Sequence, residues 1–258
     1  MYSKEELSQG LDTAIVGKKF FVFDTIDSTN ACARTLGDAG TTEGAVVVAD
    51  FQTSGRGRLG RAWIAEPGEN LLFSVLLRPR ISIASAGLLT LFASVGVARA
   101  IERRIGEPVE CKWPNDLLLH GKKICGILLE NLFQQSQVAY AVIGAGINVN
   151  QRTFPDEISL RGTSLAIETG KSFDRKELLQ TVLSELDVLY PPVQQGNFNA
   201  IVPEWIKRCT MFGKPVTVQQ QNHTMSGIAR TLNHDAGLVI ETGTGLQTVY
   251  AGDVSVVS

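Results

Sequence analysis

Residues 109–150, VECKWPNDLLLHGKKICGILLENLFQQSQVAYAVIGAGINVN, decide the fold. They hold four β-type runs: VECKW (109–113), DLLLH (116–120), KICGILLENLF (123–133) and VAYAVIGAGINVN (138–150). The short HGKK link reads as a hairpin turn, and the last run reads as a buried strand opening into a glycine-containing turn.

Upstream, FFVFD (20–24) is a strand that runs into a helix over STNACARTLGDAG, with Ser28 and Thr29 as N-cap candidates and Gly40 as a stop. GAVVVAD (44–50) and NLLFSVLLRP (70–79) are further strands. From Ile83 to Ile105 apolar residues recur near a 3.6-residue period, which predicts a long packed helix. Asp174 and Glu177 have capping-box spacing and start a second long helix, RKELLQTVLSELDVLY, with Pro191 and Pro192 expected to end it. After Cys209 only short β-type runs remain, separated by Asn, Asp and Gly turns, and they predict a small antiparallel barrel. The expected architecture is therefore α/β (α+β), a domain of strands and helices over residues 1–209 followed by a β domain over 210–258.

The chain has 258 residues, 44% of them hydrophobic and 19% charged, with a formal net charge of −2, so it is an ordinary globular sequence without bulk attraction to nucleic acid or anionic membrane. The N-terminus has no continuous apolar segment of an export signal, and no stretch reaches the roughly 18 apolar residues expected of a membrane span. Cys32, Cys111, Cys125 and Cys209 form no CxxC pair, and His120, His223 and His234 are not at metal-ligand spacing. A cytoplasmic protein with reduced thiols and no protein-bound structural zinc is expected.

Against that near-neutral background, FQTSGRGRLGRAW (51–63) concentrates Arg56, Arg58 and Arg61 on a backbone with Gly55, Gly57 and Gly60. Guanidinium offers forked donors, and glycine lets main-chain N–H groups approach an anion. No acidic residue lies between Phe51 and Ala65, so the loop is expected to repel itself and to order on an anion. A solvated surface loop and a nucleic-acid contact are the competing readings. It is neither a Walker A loop nor a strand-to-helix dinucleotide turn.

In CKWPNDLLL (111–119), Lys112, Asn115 and Asp116 stand beside Trp113 and Pro114; they read equally as a turn next to a core ring or as a polar site. Lys123 enters an apolar strand three residues before Gly126, and must meet an anion or snorkel to water. Asn148 in GAGINVN can bond a sugar or base, or simply hold a turn.

In this order and spacing, DSTN (27–30), QTSGRGRLGRAW (52–63), KWPND (112–116), KICGILLE (123–130), GAGINVN (144–150) and GTSL (162–165) resemble the biotin protein ligase family. The resemblance implies an enzyme that joins biotin to ATP, with Mg²⁺, as biotinyl-5′-AMP. It then passes the biotinyl group to a lysine of a biotin carboxyl carrier domain of a carboxylase. It implies biotin contacts at Ser28, Thr29, Asn30, Gln52, Gly55, Arg56, Gly57, Arg58, Lys123 and Gly126. ATP or adenylate contacts fall at Arg58, Arg61, Trp63, Lys112, Asn115 and Asn148. Catalytic roles fall to Arg58, Lys123 and Asp116, the last orienting the incoming lysine, with no metal held by protein side chains alone.

The same resemblance implies a mixed-sheet catalytic domain and an SH3-like C-terminal barrel. Only about 20 residues precede FFVFD, so no DNA-binding repressor domain is expected, and no membrane partner; a monomer or homodimer is. A lipoate ligase or octanoyltransferase, also acting on carrier lysines, is the rival enzyme.

Overall fold

The computed structural model describes residues 2–220 and 223–257. The apolar runs become β1 (Lys19–Ile26), β2 (Ala45–Gln52), β3 (Leu71–Leu77), β4 (Glu110–Lys112), β5 (Asp116–Leu119), β6 (Lys122–Gln134) and β7 (Gln137–Ile147). They form one seven-stranded sheet in the order β1-β2-β3-β7-β6-β5-β4. Only β1 and β2 run parallel; the other neighbours are antiparallel. The link between β5 and β6 is the expected tight turn, with His120 at φ 51° and Gly121 at φ 76°, the pair of positive angles that suits a two-residue hairpin.

The helices are α1 (Lys4–Ser8), α2 (Thr29–Asp38), α3 (Leu88–Ile105), α4 (Asp156–Ser159), α5 (Leu165–Thr169), α6 (Arg175–Gln194) and α7 (Ile201–Arg208). Because strand side chains alternate, the sheet has two distinct faces. Val46, Val48, Phe73, Val75, Ile127, Ile143 and Ile147 join the large core with α3 and α6. On the opposite face Ala45, Val47, Leu76, Tyr140 and Val142 form a smaller cluster with Ala33, Cys32 and Leu36 of α2. One ten-residue helix cannot cover that face, and beyond the N-terminus of α2 the Trp63 ring lies over it.

Two expectations need correction. Pro191 and Pro192 lie inside α6, which continues to Gln194. Burial of Val193 and the bond from the Arg80 N–H to the Gln194 carbonyl (2.8 Å) hold that last turn despite the two missing donors. The segment Ala84–Ile105 is long and apolar enough to cross a membrane by composition, yet most of it is buried against the sheet and α6. Its first turn, Ala84–Gly87, is 3₁₀ rather than α, and Gly106 at φ 78° ends it.

Past α7 come β8 (Pro215–Gln219), β9 (Thr224–Leu232), β10 (Leu238–Thr242), β11 (Gly245–Val249) and β12 (Asp253–Val256). All pair antiparallel in the order β11-β10-β9-β8-β12, a meander whose last strand returns beside its first, as in an SH3-like barrel. Val216, Val218, Leu238, Ile240 and Val254 are continuous with the large core, and the Trp113 indole N–H donates to the Ala236 carbonyl at 3.0 Å.

The carboxylate of Asp187 on α6 accepts the N–H groups of Ala14, Ile15 and Val16 at 2.6–2.7 Å, tying the N-terminal segment to the core. Asp187→Ala leaves three main-chain donors without this acceptor and should cost about 2 kcal/mol. The expected result is a lower denaturant midpoint at unchanged m-value; an unaltered midpoint would show that water replaces the carboxylate without loss.

Candidate active site

Where α2 does not reach, three glycines leave a strip of the sheet face without side chains. Gly126 on β6 and Gly146 on β7 are direct register partners, and Gly144 lies two residues away on the same face. A cavity of about 140 Å³ sits on this strip, between the start of α2 and the arginine loop.

Its closed end is polar. Ser28 caps α2 by accepting the Ala31 N–H at 3.4 Å. Gln52 Oε1 accepts the Thr29 N–H at 2.7 Å and the Thr29 hydroxyl at 3.1 Å. The Ser74 hydroxyl donates to Asn30 Oδ1 at 2.6 Å, while Asn30 Nδ2 donates to Glu130 Oε2 at 2.8 Å and to the Leu128 carbonyl at 3.3 Å. Ser28, Thr29, Asn30 and Ser74 are all buried. The Asn30 oxygen lies where a Gly144 side chain would be, only 1.9 Å from an ideal Cβ. Fixed donors and acceptors at the end of an apolar slot suit a small ligand with a compact polar head.

The arginine loop forms a tight hairpin over this slot. Gly57 donates to the Arg61 carbonyl at 2.7 Å, Trp63 donates to the Gly55 carbonyl at 2.9 Å, and Leu59 and Gly60 turn the chain at φ 56° and 75°. The Trp63 ring lies flat on the bare strip: a Cβ on Gly146 would come within 2.4 Å of it and one on Gly126 within 2.8 Å. Arg58 reaches Asn115 Oδ1 at 3.5 Å, and burial pushes its guanidinium below the ordinary value, with Asp253 and Asp116 opposing that shift.

Arg61 forms an ion pair with Asp253 on β12. The loop therefore does have an internal anion, 192 positions away in the chain, and the expectation of uncompensated self-repulsion is corrected. Arg56 and Lys112 have no ion pair among the described residues.

A second cavity, of about 470 Å³, opens on the other side of Lys123 and is lined by Lys112, Asn148, Phe154, Ile158 and Gly162. Arg61, Trp63, Asn115, Asp116 and Lys123 border both cavities. Lys123 Nζ lies 2.6 Å from Asp116 Oδ1 and 5.5 Å from the centre of the Trp63 ring. Asn115 is held by donating Nδ2 to the Ile127 carbonyl at 2.6 Å. Asn148 donates Nδ2 to the Thr163 carbonyl at 2.9 Å, and its buried Oδ1 has no protein partner.

Every residue singled out from the motifs thus borders one of the two cavities, apart from Gly55, which shapes the loop through its bond to Trp63. Sequence reasoning missed Ser74, Glu130 and Asp253. The one local sign was Ser74 itself, a hydroxyl inside the apolar run LLFSVLL, where a polar group needs a partner.

Chemically, the arrangement is two ligand compartments meeting at a lysine and flanked by arginines. It can hold two anionic reactants in contact, because fixed cations offset their mutual repulsion.

Comparisons with known proteins agree. Residues 22–148 match the model of the biotin/lipoate A/B protein ligase family, and residues 211–257 match that of the biotin protein ligase C-terminal domain. The bifunctional ligase/repressor BirA of Bacillus subtilis is 35% identical over 254 residues, covering 98% of this chain and 78% of that protein. The biotin–[acetyl-CoA-carboxylase] ligase of Mycobacterium tuberculosis is 32% identical over 235 residues, covering 88% of this chain and 85% of that one. Among solved structures, the biotin protein ligase of Aquifex aeolicus in complex with biotin and ATP superposes with a TM-score of 0.77 at 32% identity, covering 92% of this chain and 98% of that one. By sequence and by overall fold alike, the chain belongs to the biotin protein ligase family.

Proposed function

We propose that this protein is a biotin–[acetyl-CoA-carboxylase] ligase that forms biotinyl-5′-AMP from biotin and ATP and transfers the biotinyl group to a carrier lysine. The observation that carries this reading is the meeting of the two cavities at Lys123. Biotin occupies the slot on the bare glycine strip, its ureido ring at the polar end made by Ser28, Thr29, Asn30 and Gln52. Its tetrahydrothiophene ring and valeryl chain run through the same cavity, past Trp63, Gly126, Gly144 and Gly146. ATP occupies the larger cavity, with Lys112, Asn115 and Asn148 as its polar contacts.

At the junction Lys123 and Arg58 hold the biotin carboxylate against the α-phosphate, so that a carboxylate oxygen attacks phosphorus and pyrophosphate leaves. Gly55, Arg56 and Gly57 keep the hairpin close enough for its main chain to face the carboxylate, and Arg61 faces the phosphates. The hairpin then covers a mixed anhydride that water would hydrolyse. In the second step the carrier amine attacks the acyl carbon and AMP departs, with Asp116 orienting the amine.

Mg²⁺ suits this site as an ion carried mainly by the nucleotide. Among the described residues no three His, Cys, Asp or Glu side chains cluster, whereas Asp116 and Asp253 border the larger cavity and could each add an oxygen. Bound there, it would neutralise phosphate charge.

The carrier domain of a biotin-dependent carboxylase is the acceptor implied by the names of the relatives. We place the catalytic domain at residues 1–209 and the β domain at 210–258, supported by the end of α7 at Arg208 and the matched span 211–257; the outermost residues Met1 and Ser258 lie outside the described ones. The free thiols of all four cysteines suit a cytoplasmic setting.

A lipoate ligase shares the wider family, but the C-terminal match and the relatives favour biotin. Pyrophosphate release measured with ATP and either biotin or lipoate tests the choice. Release with biotin alone is expected, and release with lipoate alone would overturn the substrate.

A further inference from the structure

The hairpin between β5 and β6 presents His120 to two carboxylates. Its Nδ1 lies 2.7 Å from Glu168 Oε2 on α5, and its Nε2 lies 2.8 Å from Glu107 Oε2 in the stretch between α3 and β4. Ionised carboxylates only accept, so both contacts are made together when both ring nitrogens carry protons and the imidazole is a cation.

Glu168 does not stop there. Its other oxygen accepts the Thr163 hydroxyl at 2.6 Å. Thr163, itself buried, donates its N–H to the Lys123 carbonyl at 2.9 Å and offers its own carbonyl to the Asn148 amide at 2.9 Å. A chain of bonds thus runs from an exposed imidazole to the buried Asn148, which lines the larger cavity and whose Oδ1 has no protein partner.

We propose that His120 and Glu168 are positioning residues for ATP, holding the 161–165 segment so that Asn148 meets the nucleotide. The inference rests on the larger cavity being the nucleotide compartment. Glu107 and Glu168 face His120 from the two neighbouring segments, and Lys122 of its own hairpin lies near Glu168. The bonds from Glu168 and Glu107 raise the histidine above its ordinary value. Burial works to raise Glu168, but its bonds to Thr163 and His120, with Lys122 nearby, bring it below the usual carboxylate range. A raised histidine supports the segment fully below the ordinary imidazole value, and that support is lost as pH climbs through the raised one.

The test compares KM for ATP and for biotin in wild type and in His120→Asn, a residue that also tolerates the left-handed backbone at position 120. Near pH 6 the variant should need about fivefold more ATP, the size of one hydrogen bond, with KM for biotin unchanged. Toward pH 9, roughly two units above an ordinary imidazole, the two proteins should converge. Taking the ratio at each pH cancels the titration of ATP itself. Glu168→Gln, which keeps an oxygen for Thr163, should lose the same pH dependence.

A ratio that is flat with pH, or a biotin KM that moves in step with that of ATP, overturns the proposal in favour of a merely structural contact. Asn148→Leu separates the two levels. If it weakens ATP binding while His120→Asn does not, the positioning role alone fails; if ATP binding survives it, the compartment assignment fails and the inference goes with it.

Discussion

Lys123→Ala is expected to slow biotinyl-adenylate formation by about 10²–10³-fold, the usual loss when one preorganised donor is removed from charge developing in a transition state. The lysine stands where the two cavities join, 2.6 Å from Asp116, and no other lysine borders both. On the proposed reading, removing it deletes the cation between carboxylate and phosphate and leaves the Asp116 carboxylate facing the incoming anions. The fold should not suffer, because the Lys123 and Asp116 side chains are 34% and 23% exposed and such pairs contribute about 0–1 kcal/mol. Pyrophosphate release on mixing enzyme, biotin and ATP measures the step. An unchanged rate in a normally folded variant would remove Lys123 from the chemistry.

Gly144→Ala should raise the KM for biotin by roughly 30- to 100-fold with far less effect on ATP, the equivalent of losing two buried hydrogen bonds. The new methyl group would sit 1.9 Å from Asn30 Oδ1 and 2.8 Å from its Cγ. Asn30 must then swing away, and in doing so gives up Ser74, Glu130 and the Leu128 carbonyl. Gly144 lies within β7, paired on both sides, so alanine fits the backbone and the cost falls on the pocket. Biotin titration by calorimetry checks this, and wild-type affinity would mean that Asn30 does not read the ligand.

Much of the fold was legible because its signals are local. Apolar runs bounded by turn residues mark β1 to β7, Ser28 caps α2 as its residue type suggests, and the change of pattern after Cys209 marks the second sheet. The arginine–glycine stretch was likewise visible as a concentration of positive charge on a turn-rich loop. What escaped were groups whose meaning depends on partners far along the chain. Asp253 looks like one more turn acid until β12 brings it beside Arg61, and Glu130 looks like a surface charge until register places it beside Asn30. The two prolines of α6 escaped for a related reason, since long-range packing of Val193 outweighs a local helix-breaking rule.

The side-by-side glycines at 126 and 146 have a consequence for how this protein can change over generations. The floor they make supports the Trp63 ring but adds little to the cohesion of the molecule, whose apolar interior lies chiefly on the sheet's reverse side. One added carbon atom there meets the Trp63 ring, within 2.4 Å at position 146 and 2.8 Å at position 126, rather than the packing of the core. Descendants can therefore abandon the chemistry in a single step while remaining soundly folded, free to be recruited for other tasks.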